Sequence, residues 1–152
     1  MTQSAVLKGF TNQQEHSLTI MKSIIKTKFE KMLLAVNVSD EKTAKLMDIM
    51  RAYGGEVKAV GADCGGQQLG YLLGFTGFKE SGKVQSVTQE FIVFSGIDGG
   101  ELNGILRQMR ENDASVALKA ICTAHNQRWT ASQLAQELEQ EHKAMTRSDK
   151  VE

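Results

Sequence analysis

Two stretches of the chain carry the same pattern: LLAVNVSDEKTAKLMDIMRAYGGEVKAV at residues 33–60 and FIVFSGIDGGELNGILRQMRENDASVALKAI at residues 91–121. Each begins with an apolar run, passes through an acidic turn into a helical stripe, and ends in a second strand-like run. This shared order predicts a duplicated βαβ unit, with pseudo-repeats at residues 32–75 and 90–145.

The two strands of each unit differ in polarity. The first runs, at residues 32–38 and 90–95, are almost continuously apolar, as expected for strands covered on both faces. The second runs each contain a central lysine, Lys58 or Lys119, and a lysine at such a position typically blunts an exposed edge strand. We therefore predict an α+β fold with a ferredoxin-like four-stranded sheet, in which the central strands pair antiparallel. An α/β doubly wound sheet is the alternative.

Extra helices flank this predicted domain of residues 32–145. Residues 1–31 form a predicted N-terminal extension, a C-terminal helix closes the domain, and residues 146–152 form a polar tail. The extension carries an apolar stripe that we expect to pack on an open sheet face or on a partner subunit. The stripe consists of Leu18, Met21, Ile24, Ile25 and Phe29.

Composition limits the classes of function. The chain has 152 residues with 18 basic and 18 acidic side chains, so it lacks the basic excess typical of nucleic-acid binding. Two cysteines fit a reducing cytoplasm, and the apolar runs are far shorter than a membrane span. We expect a cytoplasmic protein that binds neither nucleic acid nor membrane.

The sequence CTAHN at residues 122–126 combines a thiol, a histidine and an asparagine, the side chains of a thiol nucleophile with its base. In thiol enzymes these partners usually come from distant segments, so this spacing argues against catalysis. Asp98-x-x-Glu101 and Thr130-x-x-Gln133 are typical of capped helix starts, and Ser39-Asp40-Glu41 is a plainer start. Trp129 before Thr130 is typical of a hydrophobic staple. We favour this structural interpretation and predict no catalytic residue.

Two other kinds of site are weaker hypotheses. Cys64, Cys122 and His125 could meet at a metal, but zinc usually takes four ligands, so we predict no metal and no cofactor. The glycine-rich turn GADCGGQQLG, residues 61–70, follows a strand and opens a helix, where backbone N–H groups can bind an anion. The candidate ligand-binding residues of this turn and of the later loop are Gly65, Gly66, His125, Asn126 and Trp129.

Three segments resemble a known family: QLGYLLGFTGF, QEFIVFSGIDGGELNGILRQMR and LKAICTAHNQRWTASQLAQELEQEH. They are similar to a small uncharacterised bacterial family, domain of unknown function number 3783, over about residues 32–142. Its closing pattern places Thr123, Asn126, Trp129 and Thr130 at motif positions and leaves Cys122 and His125 at spacer positions. The resemblance implies an architecture and no known activity.

We expect a non-enzymatic interaction or regulatory domain that self-associates as a homodimer or binds another protein. If two helices cover one sheet face, apolar side chains on the other face need a cover. That cover could be the N-terminal helix, the C-terminal helix or a second subunit. The alternative function is small-ligand or anion binding by the glycine turn and the loop at residues 122–129.

Overall fold

A four-stranded mixed sheet lies at the centre of the fold, in the strand order β2-β1-β3-β4. β1 and β3 pair antiparallel in the middle, β2 runs parallel to β1, and β4 runs parallel to β3. The strands are β1 (Met32–Val36), β2 (Glu56–Val60), β3 (Phe91–Ser95) and β4 (Leu118–Ile121). The computed structural model describes residues 30–151, so the predicted N-terminal helix lies outside the described residues.

The central positions of β1 and β3 and their antiparallel pairing are confirmed, but the ferredoxin-like strand order is not. In that order each edge strand would lie beside the central strand of the other unit. Here the chain returns from the first helix directly beside β1, where the Gly55 N–H bonds to Met50 O and the Glu56 N–H to Lys31 O. Each edge strand therefore pairs directly with the first strand of its own unit. The antiparallel centre also excludes the fully parallel alternative.

Helices cover both faces of the sheet. They are α1 (Asp40–Ala52), the short α2 (Leu69–Leu72), α3 (Gly99–Glu111) and α4 (Ala131–Val151), with a 3₁₀ turn at Asn126–Arg128. The last helix continues through most of the predicted polar tail. Within residues 30–151, no helix combines the length and apolarity needed to cross a membrane.

The helix starts follow the predicted capping pattern. Ser39 Oγ accepts a hydrogen bond from the Lys42 N–H at 3.2 Å, and Asp98 Oδ1 accepts one from the Glu101 N–H at 2.8 Å. Glu101 does not return the bond to its cap. Its carboxylate instead pairs with Lys31 Nζ at 2.6 Å, which ties α3 to the chain just before β1.

Strand alternation divides the core into two clusters, one on each sheet face. On the first face, Leu33, Ala35, Ile92 and Phe94 pack under α1 and α3. On the second face, Leu34, Val36, Phe91 and Val93 pack under α2 and α4. The C-terminal helix, α4, was one of the three covers considered for the open sheet face. It covers the second face together with α2.

Candidate functional site

The turn after β4 is organised by two side chains of the CTAHN stretch. Thr123 Oγ1 accepts a hydrogen bond from the Asn126 N–H at 3.1 Å, and Asn126 Oδ1 accepts one from the Thr123 N–H at 2.8 Å. Asn126 Nδ2 also donates to Ile121 O, the last carbonyl of β4, at 3.1 Å. Asn126 therefore terminates the strand and starts the 3₁₀ turn, which gives it a structural role.

Cys122 and His125 are not arranged as a nucleophile and its base. Burial raises the pKa of the Cys122 thiol to about 11, so the thiol is protonated at neutral pH. His125 is exposed and packs edge-on against the Trp129 ring, with 5.6 Å between ring centroids. The turn therefore holds a neutral thiol and an imidazole packed edge-on against Trp129, an arrangement without an activated nucleophile.

The two glycines of the first candidate loop have a packing role. A Cβ atom on Gly65 would lie 2.5 Å from Gln85 O, and one on Gly66 would lie 2.5 Å from Lys83 O. The Gly65 N–H already donates to Gln85 O at 2.8 Å. An anion site needs free N–H groups, whereas this turn is crowded by carbonyl oxygens. The geometry therefore favours a packing role for the two glycines over anion binding.

The two candidate loops, the glycine-rich turn at residues 61–70 and the loop at residues 122–129, lie against each other. Backbone hydrogen bonds hold them together. The Leu69 N–H donates to Trp129 O, the Ala131 N–H to Gln67 O and the Ser132 N–H to Gly65 O, at distances of 2.9–3.0 Å. These bonds anchor α2 to the start of α4, next to the reciprocal hydrogen bonds between Thr130 and Gln133. The Thr130 cap predicted from the sequence is confirmed.

The metal candidates do not converge. In the described part of the chain, residues 30–151, no three His, Cys, Asp or Glu side chains are grouped closely enough to hold a metal ion. Cys64 and Cys122 both pack against the core beneath α2 and α4, and burial raises the pKa of each thiol. Both cysteines are free.

The sequence interpretation missed the open edge of β4, which we call the β4 edge. The Cys122 N–H donates inward to Phe94 O, so strand alternation directs the N–H and C=O groups of Lys119 and Ile121 away from β3. Lys119 folds back along its own strand, where Nζ donates to Val116 O and Ala117 O at 3.0 and 3.3 Å. The Lys119 side chain therefore does not cover the outward N–H and C=O groups of Lys119 itself.

This edge carries an exposed apolar side chain and a cavity. Lys119 and Ile121 share the sheet face of α3, and Ile121 is 52% exposed. Lys119 also lines a cavity of about 160 Å³, which we call the edge cavity. It is lined by Leu106, Met109, Arg110, Ser115, Val116 and Lys119. In the sequence, the only sign of this feature is the lysine and isoleucine on one face of an edge strand.

A larger cleft lies between α1 and α3 on the same side of the sheet. It has a volume of about 520 Å³ and a mixed polar and apolar lining. Gly104 allows the Tyr53 hydroxyl to pack against α3, since a Cβ there would collide with it. The lining residues are Lys45, Asp48, Ile49, Ala52, Tyr53, Gln108 and Asn112.

A family model matches part of the chain. Residues 90–145 match the family model described as Domain of unknown function (DUF3783). The match confirms the resemblance, although it begins at residue 90 where we expected about residue 32. It contains β3, α3, β4, the Thr123–Asn126 turn and most of α4, and therefore the whole β4 edge. No curated protein and no solved structure matches the chain.

Proposed function

We propose that the chain is a non-enzymatic interaction domain that self-associates through the β4 edge. The observation that carries this proposal is a strand with outward backbone groups that carries the exposed Ile121 and, two residues earlier, Lys119, which lines the edge cavity. An exposed sheet edge is a template for adding another strand, and a large apolar side chain beside it supplies burial on contact.

The chemistry of the CTAHN turn supports a non-enzymatic role. Its asparagine terminates β4, its histidine packs edge-on against Trp129, and its thiol has a pKa raised to about 11. All three side chains that suggested catalysis have packing or hydrogen-bonding roles in the fold.

Two further parts of the proposal concern origin and location. Both units have the order strand, helix, parallel strand, which supports an internal duplication. Two free cysteines without a disulfide partner support a reducing, cytoplasmic location.

Molar mass tests self-association directly. Light scattering of the full chain over a hundredfold concentration range should show a rise from 16.7 kDa to twice that mass. A mass that stays at 16.7 kDa up to the highest soluble concentration would remove self-association from the proposal.

Small-ligand binding is a second candidate function, supported by the α1–α3 cleft. Its volume lies in the range of about 300–1,000 Å³ typical of ligand pockets, and it brings Lys45, Tyr53 and Gln108 together. Thermal unfolding with nucleotides or amino acids tests this, because a ligand of the native state raises the melting temperature. The matched control is Gln108→Ala, which should abolish a shift that arises in the cleft.

A further inference from the structure

We propose that the partner at the β4 edge is a second copy of this chain, paired antiparallel with β4 in a register centred on Ala120. This inference rests on the proposed self-association and specifies its geometry. The product is a continuous eight-stranded sheet across a twofold axis.

The backbone of β4 selects the register. Lys119 and Ile121 are the two residues whose N–H and C=O groups point outward. Pairing around Ala120 places Lys119 of one copy opposite Ile121 of the second copy, and the reverse. Each such pair exchanges two backbone hydrogen bonds. The Ile121 carbonyl already accepts from Asn126 Nδ2, but a carbonyl oxygen has two lone pairs and accommodates both donors.

The side chains are complementary in the same register. The exposed Ile121 of one copy lies opposite Lys119 of the second copy, whose side chain lines the edge cavity. Leu106, Met109 and Val116 of that cavity then provide an apolar surface for the isoleucine. The cavity, at about 160 Å³, becomes the receptor for a side chain that is otherwise exposed to water.

Charge and size also favour a second copy. The register keeps the two Lys119 side chains from facing each other, and like charges directly opposite would destabilise the pair. Ala120 meets Ala120, and the small side chains allow the strands to approach closely. The formal net charge of zero gives two copies no long-range repulsion at neutral pH.

Disulfide trapping tests the register. Facing residues of a non-hydrogen-bonded antiparallel pair have Cα atoms about 4.5 Å apart, within the range of about 4.4–6.8 Å that a disulfide spans. Ala120→Cys, in a background with Cys64→Ser and Cys122→Ser, should therefore form a covalent dimer under mild oxidation. The matched control is Lys58→Cys in the same background, at the middle of the other edge strand, and it should remain mostly uncrosslinked.

A second pair of variants tests the same register by dimer affinity, so this test does not require the cysteine variant to fold. Ile121→Lys should raise the dimer dissociation constant by about tenfold or more, because it removes the apolar contact and places lysines opposite each other. Val84→Lys replaces an exposed apolar side chain on the loop after α2 and should leave the constant unchanged.

The outcomes separate the two levels of the proposal. A full chain that is monomeric at all concentrations overturns self-association itself. A dimer in which Ala120→Cys crosslinks no faster than Lys58→Cys, or in which Ile121→Lys retains its affinity, overturns only the β4 register. A dimer that Ala120→Cys traps and Ile121→Lys dissociates supports both.

Discussion

The two edge strands, β2 and β4, hold equivalent positions in their units but present different surfaces. β2 directs the backbone groups of Val57 and Ala59 outward, because Glu56 and Val60 bond inward to the residues flanking β1. A twofold pairing that used both outward residues would place Lys58 opposite Lys58. On β4 the corresponding position is Ala120. Ile121 is exposed, and Lys119 lines the edge cavity.

The turns that follow these strands also differ. After β2, glycines allow the backbone of residues 83–85 to pass within contact distance. After β4, the side chains of Thr123 and Asn126 form the turn through hydrogen bonds. One edge strand is therefore followed by a turn closed by backbone packing. The other is followed by a turn that ends the strand, and no strand of residues 30–151 pairs with its outer edge.

The turn after β2 should give the largest loss of stability. Gly66→Ala places a Cβ 2.5 Å from the backbone oxygen of Lys83, and such overpacking costs about 3 kcal/mol. Urea unfolding measures the effect. Gly61→Ala is the matched control, since its Cβ would meet no atom within 4 Å and should change stability by less than about 0.5 kcal/mol. Equal effects at the two positions would show that close packing does not explain the glycines.

Loss of the turn after β4 should cost less. Asn126→Ala removes the bonds to the Thr123 N–H and to Ile121 O, at a cost of about 2 kcal/mol. Asn126→Asp keeps the acceptor and loses the donor, so its stability should lie between those of the parent and the alanine variant. Gln127→Ala is the control, because the bond from its N–H to Thr123 O belongs to the backbone. If Asn126→Ala unfolds at the same urea concentration as the parent, the side chain does not hold the turn.

The cap of α4 should contribute about half as much. Thr130→Ala removes the acceptor for the Gln133 N–H, and losing such a cap costs about 1 kcal/mol. Thr130→Ser keeps the hydroxyl and should restore most of the loss in the same urea experiment. A serine variant as unstable as the alanine variant would assign the effect to the methyl group.

The smallest effect concerns the thiol at the end of β4. Because burial raises the Cys122 pKa from 9.0 to about 11, the folded state holds this proton more tightly than the unfolded state. Its contribution to stability is therefore complete below pH 9 and is lost as the pH rises toward about 11. Cys122→Ser should flatten this part of the stability–pH curve. An unchanged slope would show that the thiol does not carry the effect.

Some of this architecture follows from the sequence because it depends on local patterns. The apolar runs of β1 and β3 identified the central strands, and the caps at Asp98 and Thr130 identified helix starts. Strand order did not follow, because it depends on which distant strands pair. The close packing of Gly55 against Lys31 and Met50, which accompanies the β1–β2 pairing, is visible only in the structure.

The candidate site was predictable to a smaller extent. The sequence indicated that Lys119 lies on an edge strand, and the interpretation was that it blunts that edge. Its Nζ instead bonds to Val116 O and Ala117 O, a local conformation that alternation does not encode. The exposure of Ile121 and the edge cavity both depend on where α3 packs. The position of a packed helix is a non-local property.

Residue-resolved amide hydrogen exchange at low and high protein concentration tests the role of the β4 edge most directly. The Lys119 and Ile121 amides should become protected as the concentration rises, while the Val57 and Ala59 amides on β2 exchange at a constant rate. The contradicting result is a protein that dimerises by light scattering while the Lys119 and Ile121 amides exchange as fast as those of Val57 and Ala59.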